Sequence, residues 1–409
     1  MRSLQTKVIV IGSGPGGLMA ALTAAGQYCS VTLLEALPSP GRKLLASGAG
    51  KCNFTNMLTA EAMAERFPPE QRRFVKPSLM NFTPDMCRKF LKDNGINYKL
   101  VDDFYCFPES EKATDILNMF LRKLQEYNVK VICDACVENI TADGENITSV
   151  TVHGREYFCD YLIAAGGGPG YPRLGGRGSL DKICTEINIP METRYPALCG
   201  IKSKDGWLND LAGMVLENTA VTLDKNNFAE GTLLFTGTGI SGPAALDLSG
   251  RVAKVLDSGK EVILKINFRK DYTRNTWQEI LNKARQQNGK KLLHNALANL
   301  LPQGLLCNII QDAGASEIIA ARINKSTLER LLNNLSAMQC NVSAVENWEK
   351  AMASTGGVSR SAVNARTMQC RLYKNLYFAG EFIDVDGPCG GYNIQWALSS
   401  GYLAGCLKD

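Results

Sequence analysis

The chain has 409 residues, of which 45% are apolar and 21% charged, and its net charge is +5. That length suits two or three domains. The balance is that of a soluble globular protein with too little charge to require nucleic acid, and no apolar stretch reaches the ~18 residues of a membrane span.

The first element is an apolar run, Val8 to Ile11, which reads as a strand. It enters Gly12-Ser13-Gly14-Pro15-Gly16-Gly17, then a helix from Gly17 to Gly26 and a second strand from Ser30 to Glu35. A leader peptide would be continuous through this region. The glycines and proline instead give a βαβ unit with the spacing of a dinucleotide fingerprint. Gly12 allows the tight turn, Gly14 lets backbone approach a pyrophosphate, and Gly17 lets helix pack on strand. The helix N-terminus offers N–H groups and positive dipole to phosphate. Glu35, 18 residues beyond Gly17, is placed for ribose hydroxyls and disfavours a 2′-phosphate. On this fingerprint alone both FAD and NAD remain open.

Pro40 to Asn56 reads PGRKLLASGAGKCNFTN. Small residues, amides, hydroxyls and cations directly after a βαβ unit suggest a loop laid along the cofactor. Phe82 to Gln125 reads as mostly helical, with Thr83 as N-cap, Pro84 at the first position and Gly95 past the end of one helix. Val129 to Phe158 reads as three alternating strands. Within it, Cys133 and Cys136 fall on one predicted strand, where residues three apart face opposite ways, so no metal site is expected. Fourteen cysteines without framework spacing suit a reducing cytoplasm. The two histidines, His153 in a predicted hairpin turn and His294 in a helical pattern, leave little basis for histidine-centred catalysis.

Tyr161 to Ala165 is a short buried strand entering Gly166, where backbone can near a ligand. From 192 the style changes: strands and turns from Pro196 to Phe235, a helix from Leu246 to Leu256, a strand from Val262 to Phe268, and a largely helical stretch from Asn275 to Met338. We read 1–191 and 346–409 as two parts of one domain, and 192–345 as an inserted β-barrel with a helical subdomain at about 270–338. Lys283, Arg285, Lys290 and Lys291 read as a solvated face. Gly237 to Gly242 repeats the GxGxxG spacing, but its preceding strand looks short and Glu261 opens the next strand rather than closing it. It reads as a loop of the inserted domain, not a second dinucleotide turn. Leu376 to Ala379 is a strand leading to Gly380-Glu381, and a glycine turn then enters the last helix.

Four stretches, VIVIGSGPGGLMAA, GRKLLASGAGKCNFTN, LLFTGTGISGPAALDLS and LYFAGEFIDVDGPCGGYNIQWALSSG, make the chain resemble the BaiN-like or aminoacetone oxidase-like FAD-binding flavoproteins over nearly its whole length. The resemblance implies an α/β fold: a split Rossmann-like FAD-binding domain with an inserted β-barrel plus helical subdomain. It implies an extended FAD with its pyrophosphate at Gly12, Gly14, Pro15, Gly16 and Gly17 and its adenosine ribose on Glu35. The backbone of Val137 would meet adenine. Arg42, Lys43, Ser47, Gly48, Cys52, Asn53 and Thr55 would run along the cofactor, with Ala165 and Gly166 beside it. Gly380 and Glu381 would approach the ribityl and phosphate region. Gly390, Gly391, Tyr392 and Asn393 would set a helix N-terminus at the flavin N1/C2=O edge, where dipole and N–H groups stabilise developing negative charge. Two departures stand out: Gly237 replaces a histidine common in relatives, and Gly356 to Arg371 drifts from the family pattern.

The expected activity is that of an FAD-dependent oxidoreductase passing a hydride through flavin N5. Its foremost form reduces an activated C=C bond of a steroid- or bile-acid-like substrate, with NAD(P)H as transient donor. An aminoacetone-like amine oxidase using O₂ is an alternative, and an RNA-binding or RNA-modifying flavoprotein is another. Tyr392 is the candidate catalytic residue. Expected partners are a small-molecule substrate, without nucleic acid or membrane.

Overall fold

The structure, a computed structural model, describes residues 5–176 and 178–408. The chain divides into two compact units, Met1–Pro196 with Trp348–Asp409, and Ala197–Asn347.

The first unit is built on the N-terminal βαβ. Strand β1 (Lys7–Ile11), helix α1 (Pro15–Ala25) and strand β2 (Ser30–Leu34) follow each other directly. Helix α2 (Arg42–Ala46), the short strand β3 (Thr55–Asn56), and helices α3 (Ala60–Ala64), α4 (Pro69–Asn81) and α5 (Pro84–Asp93) come next. Thr83 caps α5 by accepting a hydrogen bond from the Met86 N–H, with Pro84 at the first position. The region expected to stay helical then turns into a hairpin, β4 (Tyr98–Val101) and β5 (Tyr105–Pro108). Asp102 and Asp103 stand at positive φ in its turn, a conformation that acidic side chains tolerate and helices exclude. Helix α6 (Ala113–Glu126) closes this stretch.

Val129 to Phe158 is not one meander. Strand β6 (Lys130–Ile132) joins the main sheet, while β7 (Val137–Asp143), β8 (Asn146–Val152) and β9 (Arg155–Phe158) form a separate antiparallel sheet. The Cys133–Cys136 pair therefore lies in the turn between sheets rather than on one strand. The N–H groups of Asp134 and Ala135 donate to the Leu37 and Glu35 carbonyls, and that pairing ends β6. Strand β10 (Tyr161–Ala164), helix α7 (Ser179–Glu186) and strand β11 (Met191–Ala197) complete the first segment.

The second unit is a barrel with helices. Strands β12 (Ile201–Ser203), β13 (Val215–Thr222), β14 (Phe228–Thr236), β15 (Gly239–Ser241), β16 (Ile263–Asn267) and β17 (Met338–Val345) close in the order β12-β15-β14-β13-β16-β17. Helix α8 (Pro243–Asp257) follows β15. Helices α9 (Arg274–Gln287), α10 (Leu293–Ala296), α11 (Gln303–Asp312) and α12 (Lys325–Ala337) lie between β16 and β17 in sequence. The second GxGxxG links two antiparallel barrel strands, β14 and β15. Its preceding strand is nine residues long, longer than the sequence suggested, yet that strand turns back as a hairpin and no βαβ crossover forms.

The chain returns to the first unit with β18 (Ala353–Val358), β19 (Leu376–Phe378) and α13 (Tyr392–Gly405). Strand β18 pairs with β11. This pairing carries the first unit to Pro196, five residues past the expected boundary. The main sheet has the order β19-β10-β1-β2-β6, all parallel. Parallel sheets are covered on both faces and read as continuous apolar runs, as in KVIVI, where four of five residues are buried. The terminal helices pack on each other through small residues. A Cβ on Gly401 would stand 2.2 Å from the Gly16 carbonyl oxygen, and one on Gly405 would stand 2.5 Å from that of Ala20. Both ends of the polypeptide thus meet behind the same strand ends.

Candidate functional site

An elongated cavity opens at the C-terminal ends of β1, β2 and β10, the usual ligand position in an open α/β sheet. Its lining includes Gly12 to Gly16, Glu35 to Leu37, Gly41 to Leu44, Ala135 to Val137, Ala165 to Gly168, Ala379 to Glu381 and Asn393.

The three fingerprint glycines divide their tasks as their surroundings require. Gly12 has φ +95, and a Cβ there would lie 2.4 Å from the Ala165 carbonyl oxygen. A Cβ on Gly17 would stand 1.8 Å from the Gly12 oxygen, so this glycine serves the helix–strand contact. Gly14 is different: no protein atom lies within 4 Å of its Cβ position, which is open space. Helix α1 has no side-chain N-cap and carries Pro15 in its first turn, leaving its leading N–H groups to a ligand. Glu35 Oε2 accepts from the Ser13 N–H at 3.0 Å and from the Ser13 hydroxyl, while Oε1 accepts from the Leu37 N–H at 2.9 Å. A carboxylate has about four lone-pair sites, so this fixed group still has capacity for a ribose hydroxyl.

Deeper along the cavity, Lys43 and Glu381 form an ion pair at 2.8 Å, and Lys43 also reaches the Gly168 carbonyl. Glu381 Oε1 accepts from the Ser354 N–H at 2.9 Å and its hydroxyl at 3.0 Å. Burial pushes the Glu381 carboxyl up, but the Lys43 charge and hydrogen bond, the Arg194 charge and the Ser354 hydroxyl together hold it below the ordinary carboxylate value. The Arg194 side chain is 6% exposed, pairs with Asp181 and donates to the Ser354 hydroxyl and the Gly356, Glu381 and Phe382 carbonyls. Sequence reasoning missed Arg194, Asp181 and Ser354. None lies in a glycine turn or a motif; only the tertiary fold brings them together.

The remaining expected residues divide into two groups. Arg42, Lys43, Ser47, Val137, Ala165, Gly166, Gly380, Glu381 and Asn393 line the cavity. Gly17, Gly48, Cys52, Asn53, Thr55, Gly390, Gly391 and Tyr392 lie outside its lining. The buried Cys52 donates its N–H to Ser47, and burial pushes its thiol up to about 12. Asn53, with its amide turned to suit its neighbours, donates to the Cys106 and Thr55 carbonyls and accepts from the Gly391 N–H. The Asn56 amide donates to the Gly390 carbonyl at 3.0 Å. Gly390 and Gly391 have φ +112 and +86; Cβ atoms there would meet the Tyr105 ring and the Thr55 backbone, each at 2.7 Å. The β3–β5–β4 sheet therefore holds the turn that starts α13. Asn393 ties that turn into a ring, accepting from the Gly387 N–H and donating to the Gly387 and Pro388 carbonyls. Tyr392 is 4% exposed and packs edge-on against Phe67.

The family follows from the whole chain. Residues 6–407 match the family described as HI0933-like protein, Rossmann domain. The chain belongs to this family. Among curated relatives, the ribosomal RNA dihydrouridine synthase of Haemophilus influenzae is 30% identical over 401 residues, 96% of each chain. The 3-dehydro-bile acid delta(4,6)-reductase of Clostridium scindens is 27% identical over 406 residues, 98% of each. In fold, the chain is similar to the 3-ketosteroid delta1-dehydrogenase of Sterolibacterium denitrificans, with TM-score 0.51, 12% identity, and coverage of 98% of this chain and 99% of that one. This HI0933-like protein is an FAD-dependent oxidoreductase with a Rossmann-type FAD-binding domain. The cavity fits FAD on its own terms: open space at Gly14, an uncapped α1 N-terminus and a fixed carboxylate at Glu35 match a pyrophosphate followed by a ribose. Among the described residues there is no cluster able to hold a metal ion and no helix long and apolar enough to cross a membrane.

Proposed function

We propose that this chain is a reductase that saturates a C=C bond conjugated to a carbonyl, adding a hydride to the β-carbon and a proton to the α-carbon. Two full-length relatives support the reading. Their named substrates are unrelated, yet dihydrouridine formation and bile-acid Δ4,6 reduction are the same bond change next to a carbonyl. Bound FAD would supply the hydride through N5, the protein orienting and tuning it, with a reduced nicotinamide as the proposed source of electrons.

In this reading the Gly12–Gly17 turn and the α1 N-terminus bind the pyrophosphate, Glu35 binds the adenosine ribose, and the Val137 backbone faces adenine. The Lys43–Glu381 pair fixes the middle of the cavity, so no water need reorganise there. The Gly390–Gly391 turn aims the leading N–H groups of α13 at the flavin N1/C2=O edge. The single observation that carries the reading is this turn, clamped by Asn53, Asn56 and Asn393: donors fixed beforehand stabilise negative charge without paying for reorganisation.

The test is anaerobic incubation of FAD-loaded protein with NADPH or NADH and either a 3-oxo-Δ4 steroid or uridine-containing RNA. A product heavier by two hydrogens from either substrate supports the reading. Flavin bleached only by an amine, with peroxide formed on admitting air, overturns it.

A further inference from the structure

Cys133 and Cys136 form the one CxxC of the sequence. On a regular strand their sulfurs would face opposite ways, but the backbone here is not regular. Strand β6 runs in register with β2 as far as Ile132, which pairs with Leu34. The Glu35 N–H then donates to the Ile132 carbonyl. In an evenly spaced parallel ladder the Glu35 carbonyl would next accept from the Asp134 N–H. It accepts from the Ala135 N–H instead, so one residue too many stands opposite Glu35. That is a β-bulge. Asp134 occupies it at φ +51, and its carbonyl lies 2.6 Å from His153 Nε2. An inserted residue moves the alternation on by one. Positions three apart then come to one side, as positions two apart do on an unbroken strand.

Two further observations set both thiols toward Glu35. Cys136 lines the cavity together with Glu35, and its Sγ stands 3.9 Å from the Val137 carbonyl oxygen. Burial first, and then the charges of Glu35 and Asp134, push the Cys133 thiol up. Both cysteines are half-buried, whereas Cys52 and Cys106 are sealed in the core. Among the described residues no further ligands join the pair in a cluster able to hold a metal ion.

We propose that Cys133 and Cys136 are a thiol–disulfide pair that sets FAD affinity from the adenine end of the cavity. The oxidant is a low-molecular-weight disulfide of the glutathione class. The Cys136 thiolate attacks one of its sulfurs, the S–S bond breaks and one glutathione leaves. The Cys133 sulfur then attacks Cys136 Sγ, which closes the ring and releases the second glutathione. Two electrons pass from the pair to the reagent, and the two thiol protons end on the two glutathiones. Cys136 leads because the neighbours of Cys133 hold its thiol protonated, and the thiolate is the nucleophile. A disulfide needs Cβ atoms about 3.8 Å apart. Drawing Cys136 to Cys133 takes its sulfur off the Val137 carbonyl and shifts Ala135 and Val137 in the cavity wall. The coupling is reciprocal: the disulfide weakens FAD binding, and bound FAD protects the dithiol. This requires FAD in the cavity but not the C=C chemistry.

The test uses the full chain, stripped of FAD or saturated with it, in buffers of reduced and oxidised glutathione. Trypsin cleaves after Lys130 and Arg155, and the fragment between them holds Cys133, Cys136 and no other cysteine. After free thiols are alkylated in denaturant, the mass of that fragment reads the pair directly, since the disulfide form carries no alkyl group. FAD titration by flavin fluorescence should show affinity falling roughly tenfold as the disulfide fraction rises, and recovering in excess reduced glutathione. Saturating FAD should lower the equilibrium constant for disulfide formation by the same factor. In Cys133→Ser the ring cannot close, and glutathione should remain on Cys136. A fragment that stays in the dithiol form in oxidised glutathione overturns the proposal. So does a disulfide that leaves FAD affinity unchanged or raises it, or an affinity loss that appears without that disulfide.

Discussion

Substituting Gly14 by alanine separates binding from folding. The residue has φ −69 and ψ 176, which alanine adopts freely, and its new methyl would meet no protein atom within 4 Å. Stability of the cofactor-free protein should therefore change by no more than about 0.5 kcal/mol, as at unconstrained sites. The same methyl occupies the space through which a pyrophosphate would reach the leading N–H groups of α1. Loss of one or two hydrogen bonds to a charged group, each about 1.5–3 kcal/mol, amounts to about 1.5 to 6 kcal/mol. That corresponds to roughly 10-fold to ten-thousand-fold weaker FAD binding. Gly17→Ala is the contrasting case, since its Cβ would stand 1.8 Å from a backbone oxygen and must disturb the fold itself. Thermal melting of the cofactor-free proteins, paired with FAD titration by flavin fluorescence, reads both effects. Unchanged FAD affinity in Gly14→Ala, or a melting loss equal to that of Gly17→Ala, would refute the reasoning.

The same geometry sets further outcomes. Gly401→Ala gains helix propensity of about 1 kcal/mol but drives a Cβ to 2.2 Å from the Gly16 oxygen; overpacking of about 1–3 kcal/mol should at least cancel the gain, and lower melting with FAD release on dilution is the expected result. Glu381→Gln should cost about 1–3 kcal/mol at neutral pH through its weakened charge-assisted bonds. The Glu381 carboxyl is held below 4.5 in the fold, so its stabilisation is complete above that pH and fades as pH falls through the lower folded value; the gap between wild type and variant in a pH series of melting curves should close in acid. Tyr392→Phe should retain FAD, because the ring packs on Phe67 and an unchanged ring shape preserves packing; a large loss of turnover with FAD retained would identify Tyr392 as a catalytic residue, and unchanged turnover would leave it a packing residue. Cys52, fully buried with its thiol pushed up to about 12, should resist neutral alkylation in the native protein, whereas exposed Cys307 should label; peptide mass mapping distinguishes them.

Local order carried much of this structure into the sequence. The first βαβ unit was legible because strand, turn and helix each have a short-range cause: KVIVI for burial, Gly12 for a positive φ, Pro15 for a helix start. Thr83 and Pro84 marked α5 for the same reason. The β4–β5 hairpin was not legible, since its two-aspartate turn lacks the usual glycine signal. The Cys133–Cys136 segment alternates like a strand, and only long-range bonds to the Glu35 and Leu37 carbonyls break it. The charged network around the Lys43–Glu381 pair is the extreme case. Lys43, Asp181, Arg194, Ser354 and Glu381 come from five separated stretches, and Arg194 sits in an unremarkable alternating segment. Glycine turns announce where backbone can meet a ligand, but not which distant charges stand beneath it.

The central claim is that the two ends of the chain together enclose one FAD. The direct measurement is the flavin content of the purified protein, by visible absorption and by mass of the extracted cofactor, repeated after stripping and adding back FAD. One FAD per chain, removed and restored reversibly, is the expected result. A colourless protein that stays colourless in excess FAD would contradict it.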